Sequence, residues 1–417
     1  MRGRPKLYTT YESETSLLPT WTQRVGIAVL LAIAVLLPFN LPIINQLPIV
    51  RFLGDEDWLR LLTQAVIFAG AALGLNLLSG VAGQVSLGHA FFMGTGAYAA
   101  VVLGGTSSKN LWGLGLPMWI WLPGAGICAA LVGIIVSPAA VRVRGLYLGI
   151  VTVGLVFIGL HLSKVFPEIS GGAEVGRSFP DLALRWWKED DPVVSFSTDG
   201  HWLWFDVTKN QKTYLLMLAL LVPAVILSKN LIRSRTGRAL QAIRDRDVAA
   251  EVMGVPEAKY KLIAFAASSF FAGIAGALFA SFVGKLPPEN FDLILSVEFI
   301  AILLIGGAGV TSGALLGAFF VVLIPQFVEE FAGWMGEQAG RGGAWGSMWD
   351  VVVSVGPNDG GVVSTADVAP GFPLPVSRLD ELIYGVLIVV FLLFEPLGLY
   401  GIWVKIRNYW KGWPFSY

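Results

Sequence analysis

The sequence predicts an all-α polytopic membrane protein with about ten transmembrane helices and both termini cytoplasmic. Three observations carry that reading. The 417 residues are 55% hydrophobic and only 14% charged, with mean hydropathy +0.68, whereas soluble domains carry about 25% charged residues. Long stretches hold no formal charge, and the basic residues between them gather in a few clusters. A bilayer core of about 30 Å takes about 20 apolar residues per helix, so ten crossings use roughly half of the chain. Runs this long and apolar exclude a β-barrel, the other spanning structure lipid permits.

The elements follow in order. Residues 1–24 read as a cytoplasmic leader, because Arg2, Arg4, Lys6 and Arg24 precede the first apolar run at 25–50 and basic residues prefer the cytoplasmic side. That run has no small-residue cleavage pattern and reads as an anchor, not a signal peptide. Residues 61–108 carry no charge and are too long for one helix. Gly80 and Gly83 interrupt them, and glycine is a poor helix former, so two crossings joined there are expected. A fourth helix spans 111–141, ending at Pro138, Arg142 and Arg144, and a fifth spans 145–163. The acidic stretch at about 166–212 reads as an outer loop.

A sixth helix at 213–228 leads to the cytoplasmic loop at about 229–260. There Lys229, Arg233, Arg235, Arg238, Arg244, Arg246 and Lys259 crowd one short segment, with Lys261 just beyond. A seventh helix spans 262–284. Residues 293–328 hold two more, split near Gly306, Gly307 and Gly309, and the Gly-, Pro- and Ser-rich stretch at about 331–378 reads as a second outer loop. The tenth helix is expected at 382–404, before a basic cytoplasmic tail at 405–417 that carries Lys405, Arg407 and Lys411. Residues 25–404 thus form a single transmembrane domain with every basic cluster on one side. Leu77-Leu78-Ser79-Gly80-Val81-Ala82-Gly83 is similar to Leu303-Leu304-Ile305-Gly306-Gly307-Ala308-Gly309, and both enter from outside in this topology, as in a parallel repeat.

Composition also excludes function classes. With 29 basic and 29 acidic residues, the chain lacks the basic surplus of a nucleic-acid binder, and no nucleic-acid partner is expected. Neither a GxxxxGK[ST] phosphate loop nor a strand-linked GxGxxG is present, so no cofactor is expected on this chain. No cluster of acids, histidines or nucleophiles suggests catalysis or a metal. Cys128, the single cysteine, reads as a small buried hydrophobe.

The cytoplasmic segment 237–254 alternates small or apolar residues (Gly237, Ala239, Ala242, Ile243, Ala249, Ala250, Met253, Gly254) with charges such as Arg238. Gly254 and Pro256 supply a helix stop. It reads either as a solvated connector or as a docking helix of the helix-in-groove kind.

With these residues in place, the chain resembles the permease subunits of bacterial branched-chain amino acid ABC importers. Gly74-Leu75-Asn76-Leu77-Leu78-Ser79-Gly80, with Ala82-Gly83-Gln84-Val85-Ser86-Leu87-Gly88-His89-Ala90 and Gly96-Ala97-Tyr98, is similar to that family's amino-proximal signature. Gly237 through Gly254 is similar to its cytoplasmic coupling segment. Gly306-Gly307-Ala308-Gly309 with Gly313 and Gly317-Ala318 is similar to its carboxy-proximal glycine motif. The long leader, the loop at 329–378 and Glu395 before Pro396 depart from the pattern. The resemblance implies the ABC importer permease fold, a bacterial plasma membrane location and alternating access. It implies two ATP-binding-cassette ATPase subunits that use the ATP, a homologous partner permease and an extracytoplasmic substrate-binding protein.

Within the bilayer the candidate substrate-path residues are Gly80, Gly83, Gln84, Ser86, His89, Tyr98, Glu298, Gly306 and Gly307. Glu298 is an ionisable outlier in an apolar run, so it faces protein or water or snorkels outward. His89 reads either as a satisfied bundle histidine or as a path residue, and Gln84, Ser86 and Tyr98 offer hydrogen bonds near the same break. Trp119, Trp121, Trp403 and Trp410 read as interface belts. The alternatives to an amino acid importer are a urea or short-chain amide permease of the same family, then a sugar permease, and, from another class, an ion-coupled secondary transporter, which needs paired intramembrane acids.

Overall fold

The computed structural model describes residues 21–39, 56–107, 111–143, 145–172, 176–186, 192–202, 205–340, 353–354, 363–364, 374–395 and 397–412. The leader before residue 21, the tail after 412 and most of the second outer loop lie outside these residues. The helices are α1 (Trp21–Leu36), α2 (Glu56–Leu75), α3 (His89–Gly104), α4 (Met118–Arg142), α5 (Leu146–Val165) and α6 (Lys209–Arg233). They continue as α7 (Arg235–Val252), α8 (Glu257–Val283), α9 (Leu293–Gly306), α10 (Thr311–Gly340), α11 (Val376–Phe394) and α12 (Gly398–Gly412). Among the described residues six spans are long and apolar enough to cross a membrane, drawn from α2, α4, α5, α6, α8 and α10; α1, α3 and α9 are shorter apolar helices.

Helices α2 and α8 form the centre. An apolar helix enclosed on all sides belongs in a core, and α2 buries Phe68, Leu73 and Leu75 against neighbours from α8, α10 and α6. Small residues let the backbones touch. A Cβ at Gly96 of α3 would lie 2.3 Å from the Gly273 Cα, and one at Gly276 would lie 2.1 Å from the Met93 carbonyl oxygen. The outer helices keep lipid-facing stripes, including Ile127, Leu131 and Ile135 of α4 and Ile150 and Phe157 of α5.

The two ends of the molecule differ in charge use. At one end, cations cap helix carboxyl ends, where the macrodipole is negative: Lys261 donates to the Ala140 carbonyl of α4 (3.0 Å), Arg238 to the Arg233 carbonyl of α6 (3.1 Å), and Arg244 to the Gly80 carbonyl after α2. Three separate helices therefore finish at this basic end. The opposite end is built from short strand pairs, 177–178 with 285–286 and 183–184 with 194–195. Gln211 Nε2, at the start of α6, donates to the Pro38 carbonyl just past α1 (2.7 Å), which puts the end of α1 here too. The segment around 235–261 and the strand pairs at 177–195 thus fall at opposite ends.

Three expectations need correction. Residues 382–404 are not one helix: α11 stops at Phe394 and α12 begins at Gly398, because Pro396 removes an amide donor and crowds the preceding turn. The second outer loop begins later than residue 331, since α10 runs on to Gly340, and α11 starts at Val376. Trp121 is no belt residue: it is 2% exposed and packs over Gly104, whereas Trp119 and Trp403 are more than half exposed. The side chain of Trp410 lies outside the described residues.

Candidate functional site

Helix α2 does not end in a turn. Past Leu75, residues Asn76–Val81 extend it as a wider π-helical segment closed by Ala82 N–H to the Leu77 carbonyl (3.1 Å) and Gln84 N–H to the Leu78 carbonyl (3.0 Å). Gly83 then takes φ +68°, a left-handed conformation that favours glycine. Residues 82–88 are not helical. They run back along α2, because His89 at the head of α3 places its Nε2 3.0 Å from the Ala71 carbonyl oxygen. Ala71 lies about 15 Å before Val81 along a helix, a distance seven extended residues can span. The junction expected between two full crossings is therefore a non-helical climb at membrane depth, held by Leu87 N–H to Thr152 Oγ1 (2.9 Å) and Ala90 N–H to Ser296 Oγ (3.0 Å). Lipid does not tolerate such backbone, so it must pack on protein or line water.

The second glycine break meets the first. Gly309 N–H donates to Asn76 Oδ1 (2.7 Å), and a Cβ at Gly80 would fall 2.4 Å from the Gly309 amide nitrogen. Gly307 and Gly309 have φ +112° and +88°. Below them α9 and α10 cross closely, since a Cβ at Gly306 would lie 2.2 Å from the Gly313 carbonyl oxygen. The α11–α12 break joins the same node. A Cβ at Gly307 would lie 2.4 Å from the Leu397 carbonyl oxygen, and Gly398 faces the Ile305 carbonyl just as tightly. Glu395 in this break is ion-paired with Lys405 (2.6 Å).

Buried polar atoms at the node remain open. Asn76 Nδ2 and both amide atoms of Gln84 have no hydrogen-bond partner among the described residues, although both side chains are 5% exposed or less. Leaving such a group unpaired costs about 1–3 kcal/mol, so the site suits a polar guest or water. Ser86 is buried and bonds weakly to the Gly88 amide (3.4 Å).

The other candidates lie elsewhere. His89 is a packed histidine, 1% exposed, its ring 5.0 Å from that of Phe299. Tyr98 is not near the break: it sits two turns or more along α3, against Phe179 and Phe291, and lines a mostly apolar cavity of about 420 Å³ with Thr95, Ser163 and Phe166. Glu298 is half-buried on α9, about 12 Å from Gly306 along the helix, and does not join the node.

Helix α7 lies directly beneath. It is two helical pieces joined at Arg246, whose φ −155° and ψ 96° are not helical. Gly237, Ala239, Leu240, Ile243 and Ala250 are buried against the body, whereas Arg238, Ala242, Ala249, Met253 and Gly254 are exposed. The predicted docking residues thus divide into an attachment face and a free face. The free face gains Val248 at 63% and Val252 at 82% exposure beside Met253 at 84%, an apolar patch that the alternation of charge in the sequence concealed. Sequence reading also missed Arg244 and Asn76 as node residues, although an amide inside an apolar run was the available signal for Asn76.

The family described as branched-chain amino acid transport system / permease component matches residues 58–392. The high-affinity branched-chain amino acid transport system permease protein LivM of Salmonella typhimurium is 31% identical over 317 residues, 75% of this chain and 70% of that protein. LivM of Escherichia coli K12 is 31% identical over 292 residues, 67% of this chain and 65% of that protein. The autoinducer 2 import system permease protein LsrC of Photorhabdus laumondii is 32% identical over 146 residues, 30% of this chain and 42% of that protein. No solved structure matches.

Proposed function

The chain belongs to the family of permease components of branched-chain amino acid transport systems, and from that premise we propose that it is the membrane-spanning subunit of an ATP-driven importer for branched-chain or related amino acids. In this reading it sits in the bacterial inner membrane with a homologous partner permease. Two ATPase subunits grip α7 from the cytoplasm, and a binding protein delivers substrate to the opposite end. The observation that carries it is the stacking of an outward-facing apolar patch, Val248, Val252 and Met253, under a node where three interrupted helices meet. A surface patch of that kind marks a protein contact, and interrupted helices beside unpaired polar groups are where transporters handle polar substrates.

Alternating access follows from the same geometry. Helices broken at glycine can change direction at the node without unfolding their halves, and Asn76 and Gln84 supply buried donors and an acceptor that suit a zwitterion. The aliphatic part of a branched substrate suits the apolar remainder of the path. An ion-coupled carrier is the weaker reading, because Glu395 is engaged by Lys405 and Glu298 is remote from the node.

Reconstitution tests the proposal. The purified chain co-expressed with its neighbours is expected to retain two ATPase chains and a second permease, and to import branched-chain amino acids into proteoliposomes only with ATP and binding protein. Gradient-driven uptake by the chain alone would overturn it, and urea or amide uptake in place of amino acids would reassign the substrate.

A further inference from the structure

We propose that Arg244 is the positioning residue that transmits movement of the docking helix α7 to the interrupted helices, an inference that rests on the importer reading above. Its Nη1 donates to the Gly80 carbonyl, 164 residues away, at the last turn of the α2 extension. Its side chain fills the space that two glycines leave: a Cβ at Gly83 would lie 2.7 Å from the Arg244 Cγ, and one at Gly309 would lie 3.1 Å from Nη1. Gly309 in turn holds Asn76. One guanidinium therefore touches both breaks, and the breaks touch each other.

The electrostatics favour this seat. The π-helical extension of α2 ends at Val81, one residue past the Gly80 carbonyl that Arg244 holds, so a helix carboxyl end with its negative partial charge meets the cation, and Gly309, three residues past the end of α9, lies beside the same guanidinium. Arginine suits the position because its planar fork can hold two acceptor directions at once, which a lysine ammonium on a flexible stem cannot. The mechanical context agrees. The amino-terminal piece of α7 is anchored through Leu240 and Ile243, and the helix kinks at Arg246, two residues after the latch. A push on the free face at Val248 and Val252 is thus delivered at the joint nearest Arg244. Withdrawing the guanidinium would uncap Gly80 and free the Gly80–Gly309 contact, so displacement of α7 and rearrangement of the breaks become one event.

The test separates transmission from docking. In proteoliposomes holding the full complex, substrate molecules imported per ATP hydrolysed are measured together with ATPase co-purification. Arg244→Ala is expected to retain the ATPases at wild-type stoichiometry and to hydrolyse ATP while importing at least tenfold fewer molecules per ATP. Arg244→Lys, which keeps one donor, should recover part of that loss. A wild-type import-to-ATP ratio in Arg244→Ala overturns the proposal, as does loss of the ATPases from that variant, which would make Arg244 a docking residue. Should the alanine variant fail to insert, Arg244→Lys carries the test alone: at least a threefold fall in the ratio supports transmission and an unchanged ratio overturns it. Failure of the wild-type chain to retain any ATPase would instead sink the importer reading.

Discussion

Two glycines on the same helix and its extension should respond to the same substitution with opposite signs. At Gly70 of α2 an added Cβ would have nothing within 4 Å, whereas a Cβ at Gly80 would lie 2.3 Å from Asn76 Oδ1 and 2.4 Å from the Gly309 amide nitrogen. Ordinary contact needs about 3.4 Å or more between such atoms, so Gly80→Ala must part the two breaks by about 1 Å. Overpacking of this kind costs about 1–3 kcal/mol, and losing the Asn76–Gly309 hydrogen bond adds about 1 kcal/mol. The expected destabilisation is about 2–4 kcal/mol, thirtyfold or more in an equilibrium constant. Gly70→Ala should stabilise by about 0.5–1 kcal/mol through backbone entropy. Reversible unfolding of both variants in detergent gives the stability comparison, and ATP-driven uptake gives the functional one. If Gly80→Ala matches Gly70→Ala in stability and transports normally, the breaks do not need to touch, and the node is not part of the mechanism.

Other expectations follow from the same geometry. Ala242→Glu and Ala249→Glu, on the free face of α7, should insert normally yet lose ATPase co-purification, because a carboxylate buried unpaired in the interface costs more than about 2 kcal/mol; Lys259→Ala, which is exposed, should not. A cysteine at Ser195, in a variant lacking Cys128, should react with an impermeant thiol reagent from outside intact cells, and reaction only after permeabilisation would reverse the orientation. Val85, 41% exposed on the non-helical climb, should as cysteine be labelled by a small water-soluble reagent and protected by substrate; no labelling in any state would place the path elsewhere. Lys405→Ala should cost more than the about 1 kcal/mol of an exposed pair in the same unfolding measurement, because the Glu395 carboxylate it would leave unpaired is only 13% exposed.

Most of the architecture is legible because charge is rare in the apolar runs of this chain and each charged residue there carries information. The basic cluster at 229–261 marks one end, and the structure uses Arg238, Arg244 and Lys261 there as helix caps. The breaks at Gly80–Gly83 and Gly306–Gly309 are marked instead by closely spaced glycines in uncharged runs too long for one helix. What is not legible depends on distance along the chain. Nothing local says that Arg244 meets Gly80, that Tyr98 points toward Phe291 and away from the break, or that Trp121 is covered by α3. The break at Glu395 is marked by the following proline, a local signal, but hydropathy across 382–404 hides it. His89 shows the converse: its polarity suggests a path role, and the backbone carbonyl of Ala71 satisfies it inside the bundle.

The capping pattern ties α7 and the glycine breaks into one unit. A helix that crosses toward the basic end arrives with unpaired carbonyls, and in this chain some are met by local caps, as by Ser234 at the end of α6, and others by side chains from α7 and the start of α8. Arg238 and Arg244 leave the same short helix to reach the ends of α6 and of the α2 extension. Each such bond is modest, about 0.3–1 kcal/mol for a charge at a helix end and more where the acceptor is buried. Modest bonds suit a part that must shift: they hold α7 in register with the crossings at rest and yield without unfolding any of them. The glycine breaks have the matching property, since backbone already freed from the helical ladder can change direction at little further cost. Basic residues of the kind that favour the cytoplasmic side thus also tie α7 to the ends of α6 and of the α2 extension.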